Sequence, residues 1–295
     1  MSNTQQKPLP FGYQFLAGAI AGVSEILVMY PLDVVKTRAQ ISTGASTGIV
    51  GTITNMIKTE GAGSLYRGIL PPILVEAPKR ATKFAANEQY TVLYKKVLGF
   101  EKVTQGLSIL TGVSAGITEA FLIVPFELVK VRMQDKANLG KYNGTADTFK
   151  KIIAAEGSKA LFNGLEATMW RHAVWNGAYF GLIFKVKELM PKAKDASEQR
   201  ITNFAAGTVG GMVATFCNTP FDVVKTRIQS YNGVGPKKYN WTLPSVALVA
   251  KEEGVRSLYR GFLPKVLRLG PGGGILLVVF ETVSGFIRKN ILKEE

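Results

Sequence analysis

Long apolar stretches alternate with polar segments along the whole chain, and this pattern predicts nine helices. Six of them are long and mainly apolar, and three are short and amphipathic and lie within polar segments. No stretch reaches roughly 18 uninterrupted apolar residues, the length that a lipid-exposed single span needs. The long helices are predicted at 11–40, 70–98, 104–134, 165–190, 201–230 and 262–290, and the short ones at 47–59, 144–155 and 241–252.

A charged motif that begins at a proline occurs three times at nearly equal spacing. Pro31 and Pro125 are 94 residues apart, and Pro125 and Pro220 are 95 residues apart. In each copy an acid follows at the second position after the proline, a lysine at the fifth, an arginine at the seventh and a glutamine at the ninth. A Gly-x-x-x-Gly pair ends nine residues before each proline. The chain therefore consists of three repeats of one unit, at 1–100, 101–197 and 198–295.

A second signature follows the first in every repeat. It consists of an acid and a glycine, and then an aromatic residue, a basic or polar residue and a glycine: Glu60-Gly61 with Tyr66-Arg67-Gly68, Glu156-Gly157 with Phe162-Asn163-Gly164, and Glu253-Gly254 with Tyr259-Arg260-Gly261. Together the two signatures resemble the mitochondrial carrier family, and the resemblance covers essentially the whole chain. Asn163 departs from the pattern, because the other repeats have an arginine at this position.

The resemblance implies an all-α transmembrane fold, a bundle of six tilted helices with threefold pseudosymmetry around a central cavity. It also implies exchange of solutes by alternating access in the mitochondrial inner membrane, by a protein that functions as a monomer. Six spans place both termini on one side. Because the loops within the repeats carry more Lys and Arg than the junctions between repeats, those loops are expected to face the matrix and the termini the intermembrane space.

Composition and charge narrow the possible functions. The 46% of apolar residues and the 31 glycines favour a membrane protein, with a soluble helical protein as the alternative. The net charge of +15 indicates anionic partners, of which nucleic acid is the least expected because the bases are spread through all three repeats. With one cysteine, Cys217, and one histidine, His172, no disulfide framework, metal cluster or cofactor is expected. Cys217 is predicted to pack in an apolar segment.

The repeated motif predicts a gate at the matrix end of the cavity. Pro31, Pro125 and Pro220 each remove a backbone hydrogen bond and are expected to kink their helices at the same depth. The acid and the lysine that follow lie on one helix face and can reach neighbouring helices. The resemblance implies that Asp33 pairs with Lys130, Glu127 with Lys225 and Asp222 with Lys36, each pair braced by one of Gln40, Gln134 and Gln229. The alternative is a set of solvated charges at helix ends.

The corresponding gate at the cytosolic end is poorly matched. Only Glu88, Lys185, Lys187 and Glu281 offer charges where the family has an aromatic-acid-x-x-base pattern. A complete ring of three pairs is therefore not expected at this end.

Charged residues at membrane depth are costly and usually face a water-filled cavity, so they are candidates for solute binding. The resemblance implies contact points at Arg171 and His172 on the fourth long helix and at Arg268 on the sixth, while the second offers Lys79, Arg80, Lys83 and Asn87. Two arginines on opposed helices suit a solute with a carboxylate at each end. The alternatives are an ion pair of either arginine with Glu25 or Glu119, and a packing role for His172. A role for Glu25 and Glu119 in binding solute or protons stays open.

Lipid is the remaining expected partner. The family binds cardiolipin where the second, fourth and sixth long helices begin, and free backbone N–H groups there favour phosphate. The resemblance places such sites at Arg67, Gly68, Gly164, Arg260 and Gly261.

Within the family, the residues of the cavity are most similar to those of members that exchange 2-oxodicarboxylates, which implies 2-oxoadipate and 2-oxoglutarate as solutes. Another anion carrier, for citrate, malate or 2-oxoglutarate with malate, is the nearest alternative. A scaffold or receptor that has kept the fold without transport is a further alternative, against which the retained gate charges argue. An enzyme is not expected, since no nucleophile and base pair or metal set is visible.

Overall fold

The structure is a computed structural model, and it describes residues 9–43, 48–99, 102–189 and 196–292. These residues form nine α-helices and no strand. The long helices are α1 (Phe11–Ile41), α3 (Leu70–Leu98), α4 (Gln105–Gln134), α6 (Leu165–Leu189), α7 (Ala196–Ser230) and α9 (Phe262–Ile287), and the short ones are α2 (Gly48–Glu60), α5 (Thr145–Glu156) and α8 (Thr242–Glu253). The helix pattern predicted from the sequence is confirmed, although α7 begins five residues earlier than 201.

The six long helices form a closed circle in chain order. Contacts between repeats are extensive at all three places, where α3 meets α4, α6 meets α7 and α9 meets α1. Within repeats, only α4 and α6 pack comparably. A Cβ added at Gly116 would lie 2.9 Å from the His172 Cβ, and one at Gly112 would lie 2.9 Å from the Phe180 ring, so these two glycines allow the close approach of α4 and α6.

Three segments among the described residues are long and apolar enough to cross a membrane: Gly12–Ile41, Gln105–Gln134 and Val255–Leu292. They comprise α4, α9 and all of α1 but its first residue. By contrast, α3 has four charged side chains, Glu76, Lys79, Arg80 and Lys83, within two turns, and all four line the central cavity. Because these charges face the cavity and not lipid, a low average hydropathy is compatible with a spanning helix.

The short helices lie at the end of the bundle where α1, α4 and α7 terminate, and the second signature attaches them there. The arginine of each proline motif donates two hydrogen bonds to the glutamate that ends the following short helix: Arg38 to Glu60, Arg132 to Glu156 and Arg227 to Glu253. The hydrogen bonds from Arg227 hold the pKa of the Glu253 carboxyl below its ordinary value. These bidentate pairs fix the position of each short helix relative to its long helix.

The two ends of the described chain lie together at the opposite end of the bundle. Leu9, just before α1, and Ile287, the last residue of α9, belong to one buried apolar cluster. A six-helix bundle that begins and ends on one side has this arrangement. Which side of the membrane that is remains an expectation from the charge distribution of the loops.

A central cavity closed at one end

The six long helices enclose a central cavity of about 1130 Å³. Its wall includes nine lysine or arginine side chains and seven aspartate or glutamate side chains, an excess of two positive charges. Every residue that the sequence predicts for solute contact lies on this wall: Lys79, Arg80, Lys83, Asn87, Arg171, His172 and Arg268. The cavity is therefore polar, large enough for a small solute and biased toward anions.

Three ion pairs close one end of the cavity, and they connect the three repeats. Lys130 Nζ lies 3.0 Å from Asp33 Oδ2, Lys225 Nζ lies 2.7 Å from Glu127 Oε2, and Lys36 Nζ lies 2.6 Å from Asp222 Oδ2. These are the three pairs that the family resemblance implies. We call these six residues the ion-pair ring. Each helix that carries the ring continues through its proline, Pro31, Pro125 or Pro220, one turn or less before the acid.

The three glutamines do not brace the ring equally. Gln40 Nε2 donates to Asp222 at 3.3 Å and its Oε1 accepts from Thr226 at 2.8 Å, as predicted. The prediction is wrong for Gln134, which donates to the Tyr30 hydroxyl at 2.9 Å and not to a ring residue. It is also wrong for Gln229, whose buried amide has no hydrogen-bond partner among the described residues.

The difference follows from the residue that precedes each proline. Tyr30 precedes Pro31, and its hydroxyl takes the Gln134 amide between repeats 1 and 2. Val124 stands at the same place before Pro125, so Gln229 finds no such hydroxyl between repeats 2 and 3.

Arg268 and Arg171 connect the ring to the cavity above it. Arg268 Nη1 lies 2.6 Å from Asp33, and Arg268 Nη2 lies 2.8 Å from Glu25. Arg171 lies 3.5 Å from Glu127 and 3.9 Å from Asp222. Of the alternatives left open by the sequence, the ion pair with Glu25 is present for Arg268, and Glu119 pairs with neither arginine. Both arginines are half-buried and border the cavity, where a solute can compete for them.

Arg171 and Arg268 occupy equivalent positions of repeats 2 and 3, because each lies seven residues after the glycine that precedes its helix. The equivalent residue of repeat 1 is Val75. Arg268 faces Glu25 of the next repeat around the circle. By the same symmetry, Arg171 faces the position of Ala214 and Val75 faces that of Glu119. One junction between repeats thus holds an arginine with a glutamate, one an arginine alone and one a glutamate alone.

The bases of α3 are arranged differently. Lys79 and Arg80 both bind Glu76, Arg80 Nε at 2.6 Å, so a single buried carboxylate holds two cations. Lys83 is exposed on the cavity wall and makes no ion pair among the described residues, and Asn87 is half-buried beyond it. Lys83 is therefore the cation of α3 that a solute can bind without breaking an existing pair.

His172 is held by its neighbour. Its Nε2 lies 2.9 Å from Arg171 Nη2, and its Cβ packs at Gly116 of α4. Because a guanidinium only donates, Nε2 must be the acceptor, so the imidazole is neutral in this contact. The structure is therefore compatible with both roles considered for His172. Its side chain packs closely against α4, and its polar ring also faces the cavity.

Lys265 is a cavity residue that the sequence interpretation missed. Its Nζ lies 3.4 Å from Asp222, and it lines the cavity three residues before Arg268. A spacing of three residues places Lys265 and Arg268 on one face of α9, so the helical periodicity could have identified Lys265 from the sequence.

The other end of the cavity has no comparable closure. Glu88 and Glu281 are exposed and make no ion pair among the described residues. The side chains of Lys185 and Lys187 lie outside the described residues. Lys83, Phe84 and Glu88 are exposed although they line the cavity, so the cavity opens at the end away from the ring.

The glycines predicted as lipid sites have a packing role in this structure. Gly68, Gly164 and Gly261 all have a positive φ, between 74° and 84°. A Cβ at Gly164 would lie 2.9 Å from the Gln229 Cγ, and one at Gly261 would lie 3.1 Å from the Gln40 Cγ. Arg260 donates to the Ser42 and Thr43 carbonyls, whereas the Arg67 side chain makes no ion pair among the described residues.

Cys217 was predicted to pack inside an apolar segment, and this prediction is wrong. Its side chain is exposed on α7. An apolar run in a spanning helix has a lipid-facing side as well as a buried one, so hydropathy alone did not distinguish the two.

This chain is similar to known proteins over nearly its whole length. The mitochondrial carrier protein family matches it three times, at residues 7–98, 101–194 and 197–291. It is 58% identical to the mitochondrial citrate transporter D of Aspergillus niger, over 97% of this chain and 98% of the relative. It is 54% identical to the probable mitochondrial 2-oxodicarboxylate carrier of Schizosaccharomyces pombe, over 95% of this chain and 96% of the relative. It is 50% identical to the mitochondrial 2-oxodicarboxylate carrier 2 of Saccharomyces cerevisiae, over 97% of each. With three matching repeats, a six-helix bundle around a cavity and relatives that are carriers and not enzymes, this chain belongs to the mitochondrial carrier protein family.

Proposed function

We propose that this protein is an antiporter that exchanges 2-oxodicarboxylates, such as 2-oxoadipate and 2-oxoglutarate, across the mitochondrial inner membrane. One observation supports it most: Arg171 and Arg268 stand at equivalent positions of two repeats and border a cavity with an excess of two positive charges. A solute with one carboxylate for each arginine neutralises that excess. The names of several relatives, 2-oxodicarboxylate carriers of fungi, Dictyostelium and mammals, agree with this solute class.

The solute's carboxylates accept hydrogen bonds from the Arg171 and Arg268 guanidiniums, for which bidentate geometry is favoured. Lys83 is the further cation at hand, since it has no acidic partner among the described residues. The neutral His172 imidazole lies beside Arg171 and is suited to contact the keto group.

Binding also loosens the closed end, because the arginines that take the solute are the ones that hold the ring. Arg268 contacts Asp33, and Arg171 contacts Glu127 and Asp222. When the solute's carboxylates replace these acids, every ring acid loses one of its cationic partners. The solute therefore stabilises the open ring relative to the closed one, which is the differential affinity that alternating access requires.

Counter-exchange in liposomes tests the proposed function. The purified protein is reconstituted, the vesicles are loaded with 2-oxoglutarate, and uptake of labelled 2-oxoadipate is measured. We expect uptake only when the vesicles contain a counter-solute. If no dicarboxylate is taken up under any loading, or uptake does not depend on the internal solute, the proposed exchange is wrong.

Citrate is the second candidate solute, because the relative with 58% identity is named a citrate transporter. A third carboxylate needs a third cation, for which Lys83 is available on the cavity wall, while Lys265 would have to leave Asp222. Including citrate in the same uptake panel decides between the two solutes.

We also propose that cardiolipin binds where α3 begins, at Arg67 and Gly68, since the Arg67 side chain lacks an ionic partner among the described residues. Arg260 at the start of α9 is already engaged by backbone carbonyls and Glu253, so it is the weaker site.

The cavity lies within one chain, which supports function as a monomer.

A further inference from the structure

Among the described acids of the cavity wall, Glu119 is the buried one that neither the ion-pair ring nor an arginine binds. It lies on α4, is 5% exposed and borders the cavity. Its Oε2 has no hydrogen-bond partner, and no ion pair reaches either oxygen among the described residues. A buried carboxylate without a partner is costly as an anion, whereas the protonated acid is much less so.

The reason for its isolation is a single substitution between repeats. Glu25 stands at the equivalent position of repeat 1 and is bound by Arg268 of repeat 3. The residue that would bind Glu119 in the same way is at position 75, and it is a valine. Val75 is itself buried and lines the cavity, so no cation replaces the missing arginine at that place.

Charged groups do surround Glu119 at longer range. Lys79 and Lys83 on α3 and Arg171 on α6 attract its anion, and Glu127 on α4 itself repels it. Lys79 is bound to Glu76 and Arg171 to ring acids, while His172 of α6 is neutral in its contact with Arg171. On α7 Lys225 is bound to Glu127, and on α1 Asp33 is bound to Lys130 and Arg268. Of these groups, Glu119 is the one that can take up a proton from the cavity without breaking a pair.

We propose that Glu119 is a proton-binding site that adjusts the charge of the cavity to the charge of the solute. This inference rests on the proposed exchange of carboxylates. With Glu119 ionised, the cavity's excess of two positive charges matches a dicarboxylate dianion. With one proton on Glu119 the excess becomes three, which matches a tricarboxylate trianion.

Protons and charges balance in one exchange cycle. A proton from the water of the cavity binds a Glu119 carboxylate oxygen as a trianion enters, and the proton and the trianion leave together on the other side. A dianion then returns with Glu119 ionised. Two negative charges move in each direction, so exchange of a tricarboxylate for a dicarboxylate is electroneutral, and exchange of two dicarboxylates moves no proton.

The test uses the reconstituted full-length protein in vesicles loaded with 2-oxoglutarate and an entrapped pH indicator. External 2-oxoadipate is expected to enter without a change of internal pH, and external citrate is expected to enter with about one proton per molecule, as electroneutral exchange requires. Glu119→Gln holds the cavity at an excess of three positive charges, so it is expected to slow dicarboxylate exchange and to take up citrate without acidification. Glu119→Asp, which keeps a carboxylate, is expected to keep the acidification that accompanies citrate uptake. Glu252→Gln, on α8 outside the cavity, is the matched control and should behave as the wild type.

Each outcome has a distinct meaning. If Glu119→Gln acidifies the vesicles as the wild type does, the proton travels on the solute or on another residue, and the proposal is wrong. The proposal is also wrong if the wild type exchanges dicarboxylates but takes up no citrate, or takes up citrate without a proton.

If Glu119→Gln loses all exchange, the Glu119→Asp variant provides the test. Loss of acidification in an active Asp variant would overturn the proposal. Failure of all dicarboxylate exchange in the wild type contradicts the proposed function itself. Loss of acidification in His172→Gln would move the proton site to the histidine.

Discussion

The two ends of the central cavity differ in how their charges are used. At the closed end, three lysines and three acids from different repeats form pairs with N–O distances of 3.0 Å or less, and Arg171 and Arg268 add further contacts to the acids. At the open end, Glu88 and Glu281 are exposed and unpaired among the described residues. The motif that places a matching acid and lysine at one end of α1, α4 and α7 has no counterpart in the sequences of α3, α6 and α9.

This difference predicts which state the empty protein occupies. A partly exposed ion pair contributes about 0.2–1 kcal/mol, so three pairs with their arginine contacts stabilise the closed end by a few kcal/mol. A difference of about 5.5 kcal/mol moves a two-state equilibrium from 1:99 to 99:1, so a few kcal/mol is enough to favour one state strongly. Without solute, the protein is therefore expected to stay closed at the ring and open at the other end.

The largest effect is expected for the arginines that connect the cavity to the closed end. Arg171→Ala and Arg268→Ala should each reduce dicarboxylate uptake about 100-fold, since a charge-assisted contact with the solute is lost and a half-buried ring acid loses a cation. Lys83→Ala, which removes an exposed base nearer the open end, should cost only about tenfold or less by the same reasoning. Initial rates of exchange in liposomes measure all three. Near wild-type uptake in either arginine variant would remove that residue from the solute site.

Charge reversal at each end tests the comparison directly. Lys130→Asp opposes Asp33 and should slow exchange at least tenfold, which corresponds to about 1.4 kcal/mol. Glu88→Lys at the open end should change it much less. Exchange rates at saturating solute give the measurement. Equal losses in both variants would mean that the two ends are equivalent after all.

A double change is informative at the same pair. Asp33→Lys with Lys130→Asp should recover part of the exchange lost in Lys130→Asp, because opposite charges again face each other. Recovery should be incomplete, since the new lysine would face Arg268, whose Nη1 lies 2.6 Å from Asp33. A double variant as inactive as the worse single one would contradict the pairing.

A smaller effect is expected at His172. His172→Gln keeps an acceptor beside Arg171 but changes the group presented to the solute. Dicarboxylate exchange should persist, and the preference between 2-oxoglutarate and a dicarboxylate without a keto group should shift by a few-fold, the scale of one neutral hydrogen bond. Competition between the two solutes measures it. An unchanged preference would leave His172 with a packing role alone.

The smallest effect is expected for the glutamines within the closed end. Gln40 contacts Asp222 and Thr226, whereas the Gln229 amide has no partner among the described residues. Gln40→Ala should lower the melting temperature of the purified protein by about 2–4 °C, the shift that roughly 1 kcal/mol produces in a chain of this size class. Gln229→Ala should lower it less. The reverse order in a thermal-shift assay would contradict the unequal bracing.

The features that could be predicted from sequence are those that obey the repeat. The acids and lysines of the ring were found from three motifs in one register, and the resemblance to the family implied which of them pair. Threefold symmetry brings equivalent residues to the same depth, so one rule holds for all three pairs. The departures could not be predicted, because each depends on a residue that differs in one repeat. Tyr30 diverts Gln134, and Val75 leaves Glu119 without an arginine.

Labelling of a single cysteine tests most directly whether the ring closes one end of the empty carrier. Thr37 lies in α1 beside the ring, lines the cavity and is 6% exposed. In a Cys217→Ser background, Thr37→Cys is treated with an impermeant maleimide from each side of the vesicles in turn, with Asn87→Cys as the control for the open end. Without solute, we expect no labelling of position 37 from the ring side, and labelling from that side once exchangeable dicarboxylate is present on both sides. Equal labelling of position 37 from both sides in the empty protein would contradict the account.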